Sequence, residues 1–234
     1  MDFTDLIYHF KNTWFTELIV FMLNIVALII CFKKRSTLEY FFAFYFFLNI
    51  LVLLISWSIT TTNISNTTKG LIFNTLNTMI TIVELFTYTI FFRQLLKPLI
   101  FKYVLLIPFC IFLAIEIMYL ITKFSFLTDR YRYIYSLLNV LEFLILITPC
   151  LIYYYNLFNT DTAMGLFLRP SFWIVTGIFT FSVISIPFYL LDPLLWDIKA
   201  RIREIFGVFL FQLPIIINLT FLIRGLQCKR LLTT

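Results

Sequence analysis

Histidine occurs once in the 234 residues, at His9, and glycine only five times. Haem and zinc sites draw on histidine or clustered cysteine, so a lone histidine near one end leaves them without ligands. Scarce glycine removes the tight turns that cradle phosphates, and neither Gly-x-Ser-x-Gly nor His-Glu-x-x-His is present. The four cysteines, Cys31, Cys110, Cys150 and Cys228, lie in or beside apolar runs, and no loop holds a pair of them. No disulfide framework is implied. No cofactor and no metal are expected. Charge is also sparse. Asp, Glu, Lys and Arg make up 13% of the chain against 62% hydrophobic residues, a balance far from that of soluble domains. The net charge of +6 does not point to nucleic acid, because the basic residues sit in short connections between apolar runs. They form no stripe interleaved with base-stacking aromatics. The lipid bilayer is the expected partner, with these cations meeting its headgroups.

What is present in quantity is apolar sequence. Seven runs, at 16–32, 40–59, 71–92, 99–121, 133–155, 170–191 and 205–223, approach the ~20 residues of a spanning helix. None shows the alternation of a membrane-barrel strand, so each satisfies its backbone only as a helix. The expected fold is an all-α polytopic membrane protein, a seven-transmembrane-helix bundle forming one domain over residues 1–234. Lys33, Lys34 and Arg35 directly follow the first run, which favours the N-terminus outside and the C-terminus cytoplasmic. Asp2 and Asp5 precede that run without a cleavage site, so it reads as an uncleaved anchor. The short stretch after the last run leaves no room for an output domain.

The connection 60–70 reads as a polar loop carrying two glycosylation sequons, Asn63-Ile64-Ser65 and Asn66-Thr67-Thr68. Asp192 and Pro193 read as the N-cap and first position of an amphipathic helix. It either lies in the interface or extends the last span outward. Pro149, Pro187 and Pro214 fall inside spans and are expected to kink them.

Against this background Glu84, Glu116 and Glu142 stand inside apolar runs, and the runs of Glu84 and Glu142 contain no Lys or Arg. An ionised carboxylate at the bilayer centre costs at least a few kcal/mol, so such residues face a bundle interior or a wet cavity. Asn77, Thr81, Glu84 and Tyr88 follow one another at spacings of four, three and four, and Tyr135, Asn139 and Glu142 at four and three. Each set shares one helix face. Asn24, Asn49, Thr176, Gln212 and Asn218 add polar groups at similar depth.

Two readings compete. In one, these groups hydrogen-bond across helices as packing glue, each pair contributing about 0.6 and at most about 2 kcal/mol. In the other, Glu84 and Glu142 bind a cation or polar ligand, or take up protons, in a cavity lined by Asn77, Asn139, Thr81, Tyr88 and Tyr135. Glu116 reads as a boundary residue toward which Lys123 snorkels. Asp129-Arg130-Tyr131 spells a triplet of rhodopsin-type receptors, but it follows the fourth run instead of the third. The last run also lacks the lysine of a retinal Schiff base.

The sixth run opens with Arg169-Pro170-Ser171-Phe172-Trp173-Ile174-Val175-Thr176-Gly177-Ile178. This Pro-x-Phe-Trp-x-x-x-Gly opening, together with the seven-run layout and the Asn/Glu pattern, resembles uncharacterised seven-span membrane proteins common in Bacteroidetes-type bacteria. Some of those accompany sensor histidine kinases. The resemblance implies a bacterial inner (plasma) membrane and assigns no biochemical role to any residue. The expected function is a non-enzymatic sensory or signalling module, in which a change at Glu84 and Glu142 is read by a separate membrane or cytoplasmic signalling partner. A small transporter or proton-coupled carrier is the alternative. An intramembrane lipid-modifying enzyme, with the carboxylates as general acid and base, stands third.

Overall fold

The computed structural model describes residues 3–34, 37–62, 66–123, 130–159, 165–195 and 200–228, and no strand occurs among them. The helices are α1 (Phe3–Lys34), α2 (Thr37–Thr61), α3 (Asn66–Leu95), α4 (Pro98–Phe101), α5 (Ile107–Lys123), α6 (Arg130–Phe158), α7 (Pro170–Leu195) and α8 (Ala200–Gln227). A π-helical turn, Lys102–Leu106, joins α4 to α5, and a 3-10 turn, Leu166–Leu168, precedes α7. Pro98 and Pro170 open α4 and α7, where the missing N–H leaves no bond unmade. Lys33, Lys34, Arg93 and Arg224 stand in the last turns of their helices, opposite the negative end of the dipole.

Among the described residues six helical stretches are long and apolar enough to cross a membrane: Phe15–Lys34, Leu38–Thr60, Thr75–Leu95, Pro98–Tyr119, Ser136–Phe158 and Pro170–Leu191. Large apolar side chains such as Met22, Phe44, Met79, Ile111 and Leu144 are exposed on them. In water that would invite aggregation; against lipid tails it is the ordinary outer face of a spanning helix. The chain is thus an all-helical, membrane-embedded protein. The seventh expected span, 205–223, lies in α8, where the side chains of 200–211 are outside the described residues.

Two sequence expectations are corrected, and one feature is added. The polar loop 60–70 is mostly helix: α2 runs to Thr61 and α3 starts at Asn66, so the second sequon, Asn66-Thr67-Thr68, forms a helical turn and the first lies outside the described residues. Asp192 and Pro193 do not start a helix, because α7 continues through both to Leu195. A proline in a last turn forfeits a single backbone bond, which the preceding turns outweigh. Finally, the proline that disturbs the fourth span is Pro108, absent from the expected kink sites. Its ring crowds the carbonyl one turn back, and the wider π turn directly before it, closed by Ile107 N–H to Lys102 O, relieves that crowding.

The chain divides into two compact units, one of Met1–Leu23 with Thr128–Thr234, the other of Asn24–Leu127. In the first, α7 packs against both α6 and α8. Polar side chains stitch α6 to α7: Tyr154 donates to Thr176 Oγ1 at 2.9 Å, Tyr153 Oη and Ser171 Oγ lie 3.1 Å apart, and Cys150 Sγ is 3.8 Å from Val175 O. Two glycines join α7 to α8. A Cβ on Gly225 would stand 2.6 Å from Ile174 Cγ1 and 3.0 Å from Pro170 O, and one on Gly177 would stand 2.8 Å from Phe221 Cβ. With no hydrophobic force between helices in lipid, such close approach is what holds them together. In the second unit α2 packs on α3, and α3 on α4 and α5.

Gly225→Ala is therefore expected to cost about 1–3 kcal/mol of stability, because the Pro170 carbonyl is backbone and cannot yield. Gly177→Ala should cost somewhat less. Reversible unfolding in mixed micelles measures both, and unchanged midpoints would refute the close crossing.

Candidate functional site

Most polar side chains inside these helices satisfy themselves locally. Thr87 donates to Val83 O at 2.8 Å, Thr89 to Leu85 O at 2.7 Å, Ser182 to Ile178 O at 2.8 Å and Thr220 to Ile216 O at 2.8 Å. Asn49 likewise turns its amide to Tyr45 O at 2.9 Å. Such one-turn bonds hide a polar atom without recruiting a second helix. Thr176 does both, bonding Phe172 O at 2.6 Å while receiving Tyr154. Of the expected polar centre, Asn49 and Thr176 are thus engaged with nearby structure, Asn24 and Asn218 are buried, and Gln212 is half-buried.

Glu84 behaves differently. An ionised carboxyl has nothing to donate to a carbonyl one turn back. It is buried at 7% exposure and takes hydrogen bonds from the hydroxyls of Tyr88, one turn on in α3, and Tyr45 of α2. Tyr88 is fully buried, with its ring centroid 6.1 Å from that of Tyr45 and 6.5 Å from that of Phe42. Phe42 in turn meets Phe91 edge-on at 6.2 Å. The carboxyl therefore sits in an aromatic seam between α2 and α3, and its Oε1 has no hydrogen-bond partner among the described residues. A buried acceptor left open calls for a reason.

The expected ridge on α3 is graded. Tyr88 and Glu84 are buried, Thr81 is half-buried and Asn77 is exposed, so Asn77 does not face a bundle interior as expected. The face is covered around the aromatic seam and opens toward Asn77, two residues inside the start of the apolar stretch. One position further on, Thr78 is buried with its Oγ1 unpartnered among the described residues.

In the other unit, Asn139 and Glu142 of α6 are both buried, as is Ser136 three residues before Asn139. The side chain of Tyr135 lies outside the described residues. Next to Glu142, the Phe143 ring meets Phe181 of α7 edge-on at 5.3 Å and Tyr189 at 5.5 Å. Ser182 and Ser185 of α7 are buried as well. Glu84 and Glu142 belong to different units, and each is described within its own.

Glu116 is buried at 2% exposure, one turn before the end of the apolar stretch Pro98–Tyr119; the Lys123 side chain, its expected partner, lies outside the described residues. Two residues were missed in the sequence. Tyr45 stands among five phenylalanines between 41 and 47, and only the α2–α3 register singles it out. Glu39, at the start of α2, looks like a boundary charge but is buried at 1% exposure, with the buried Cys31 within electrostatic reach. Among the described residues no three His, Cys, Asp or Glu side chains gather as a metal site.

The phenol–carboxyl contact is expected to be energetically real. Tyr45→Phe should cost about 0.6–2 kcal/mol in the wild-type background and nothing once Glu84 is leucine, a coupling that a double-mutant cycle reads directly. Equal losses in both backgrounds would reduce Tyr45 to an aromatic filler. Compared with protein-family models, curated proteins and solved structures, the chain matches none.

Proposed function

We propose that this chain is a seven-span, non-enzymatic sensory or signalling protein of a bacterial inner membrane, with a proton- or ligand-responsive centre at Glu84. The observation that carries this reading is a buried carboxyl that accepts from Tyr88 of its own helix and from Tyr45 of α2 yet keeps one oxygen open. Within the bilayer such a group is neutralised by a proton, a cation or a polar ligand, because leaving it bare and charged is too costly. The ways of neutralising it are mechanically different. A proton on the open Oε1 makes that oxygen a donor that needs an acceptor in the α2–α3 seam, whereas a cation there needs further oxygen ligands. The α2–α3 seam would then be the bistable element that a separate signalling partner reads.

The graded ridge supplies an entry. Asn77 is exposed near the start of the apolar stretch, Thr81 follows one turn deeper, and Glu84 lies seven residues from Asn77, roughly 10 Å along the helix at 1.5 Å per residue. A proton or small cation meets polar side chains all the way. Glu142, with Asn139 and Ser136, would form the corresponding centre of the α6–α7 pair. The seventh span of this reading is α8, whose 205–223 segment is apolar in sequence. The N-terminus lies outside and the C-terminus in the cytoplasm, on the strength of Lys33, Lys34 and Arg35.

Glu84→Gln keeps the size and hydrogen-bonding capacity of the side chain and removes its charge. The wild-type protein in nanodiscs is expected to change amide exchange across α2 and α3 when pH or monovalent cation is varied, and Glu84→Gln to abolish that change while staying folded. If the variant kept every wild-type response, Glu84 would be packing glue. Cation or proton flux into proteoliposomes that disappears in Glu84→Gln would instead favour the carrier.

A further inference from the structure

Where α6 ends and α7 begins, the chain leaves and re-enters the apolar layer: the stretches Ser136–Phe158 and Pro170–Leu191 mark the two crossings. Between them, Gly165 adopts a left-handed backbone (φ 93°) and turns the chain into the 3-10 segment Leu166–Leu168. That segment belongs to no span, yet Phe167 and Leu168 are 66% and 77% exposed, and Phe158 at the end of α6 is 75% exposed. The segment is not loose. Trp173 donates its indole N–H to Phe167 O at 2.8 Å, and the Phe167 ring lies 5.9 Å from that of Trp173 and 5.5 Å, edge-on, from that of Phe172.

The other side of this platform is cationic. Trp173 stacks on Phe221 of α8 at 5.8 Å and 26°, and the Arg224 guanidinium sits over the Trp173 ring at 5.7 Å. Arg169 precedes α7 within electrostatic reach of the Tyr153 hydroxyl, which in turn meets Ser171. Arg224 is exposed and Arg169 half-buried. No Asp or Glu occurs in 143–159, 165–191 or 212–228, the described segments that build this end; Asp161 lies outside the described residues.

We propose that this aromatic–arginine ledge is a binding site for an anionic phospholipid headgroup. Phe158, Phe167 and Leu168 enter the acyl boundary, and the indole of Trp173 occupies the interfacial layer that such rings prefer. Arg169 and Arg224 meet the phosphate and the extra negative charge of an acidic lipid, with Arg224 oriented by its contact with the Trp173 ring. The combination favours a lipid over a protein partner. Exposed apolar side chains lie immediately beside fixed cations at the level where two spans end, which is the profile of a bilayer across its own interface. The ledge is independent of Glu84, so the two readings stand or fall separately.

The test uses the whole purified protein in detergent, titrated with phosphatidylglycerol, phosphatidylcholine or inorganic phosphate, with native mass spectrometry counting retained lipid and thermal unfolding read in parallel. Phosphatidylglycerol is expected to be retained over phosphatidylcholine and to raise Tm. Each arginine should account for roughly a fivefold preference, so Arg169→Gln with Arg224→Gln should bring the discrimination close to none. Phe167→Ser with Leu168→Ser, which alters only exposed side chains, should weaken retention of both lipids and keep the preference between them. The site is refuted if wild type shows no headgroup preference, if the arginine double variant keeps it, or if inorganic phosphate alone reproduces the Tm shift. Should the arginine double variant fail to fold, the wild-type preference and the serine variant still decide the matter. A soluble protein that displaces retained phosphatidylglycerol from the wild type would reassign the ledge to a protein partner.

Discussion

Hydrocarbon offers no hydrogen-bond partner, and nearly every feature of this chain answers that one constraint. Backbone groups are paired within helices. Hydroxyl and amide side chains repeat the solution on a smaller scale: Thr87, Thr89, Ser182, Thr220 and Asn49 all bond a carbonyl one turn back in their own helix. Polarity disposed of in this way carries no function. The informative groups are those whose capacity exceeds what their own helix can absorb, and a carboxyl, with room for about four accepted bonds, exceeds it by most.

The two units hold their helices together by different means. Between α7 and α8 the backbones approach at Gly177 and Gly225, and between α6 and α7 phenols bond to hydroxyls. Between α2 and α3 no glycine intervenes, since Gly70 is the sole glycine of 24–127 and lies in the second turn of α3. Rings fill that seam: Phe42, Phe46, Tyr45, Tyr88 and Phe91 contact one another at centroid distances of 5.4–6.5 Å. A ring-filled seam keeps its backbones further apart than a glycine crossing does. That spacing suits a glutamate with two phenols above it, while the α7–α8 crossing leaves no such room.

Spans were legible in the sequence because lipid demands long uninterrupted apolar runs, and each expected run falls on helical structure, the fourth on α4, the π turn and α5 in succession. Helix ends were harder. Thr, Asn and Pro read as loop residues in water, so 60–61, 66–70 and Asp192-Pro193 looked like breaks, yet the helices absorb them. Partners across a seam were not legible. Helical spacing places Tyr88 on the face of Glu84, but nothing along the chain distinguishes Tyr45 from the phenylalanines around it. Likewise, spacing aligns Asn77 with Glu84 without revealing that the face is uncovered at that level.

Glu84 is a buried glutamate whose hydrogen-bond donors come from two helices, Tyr88 from its own and Tyr45 from α2. Tyr88 sits on the same helix as Glu84 and keeps its place whichever way the carboxyl is neutralised. Tyr45 reaches the carboxyl from α2, and its ring also meets that of Tyr88 at 6.1 Å. A proton or cation at Glu84 falls on the open Oε1 and adds a demand that the two phenols do not meet. On the reading proposed above, that added demand is how a change in charge at Glu84 would reach the packing of α2 on α3.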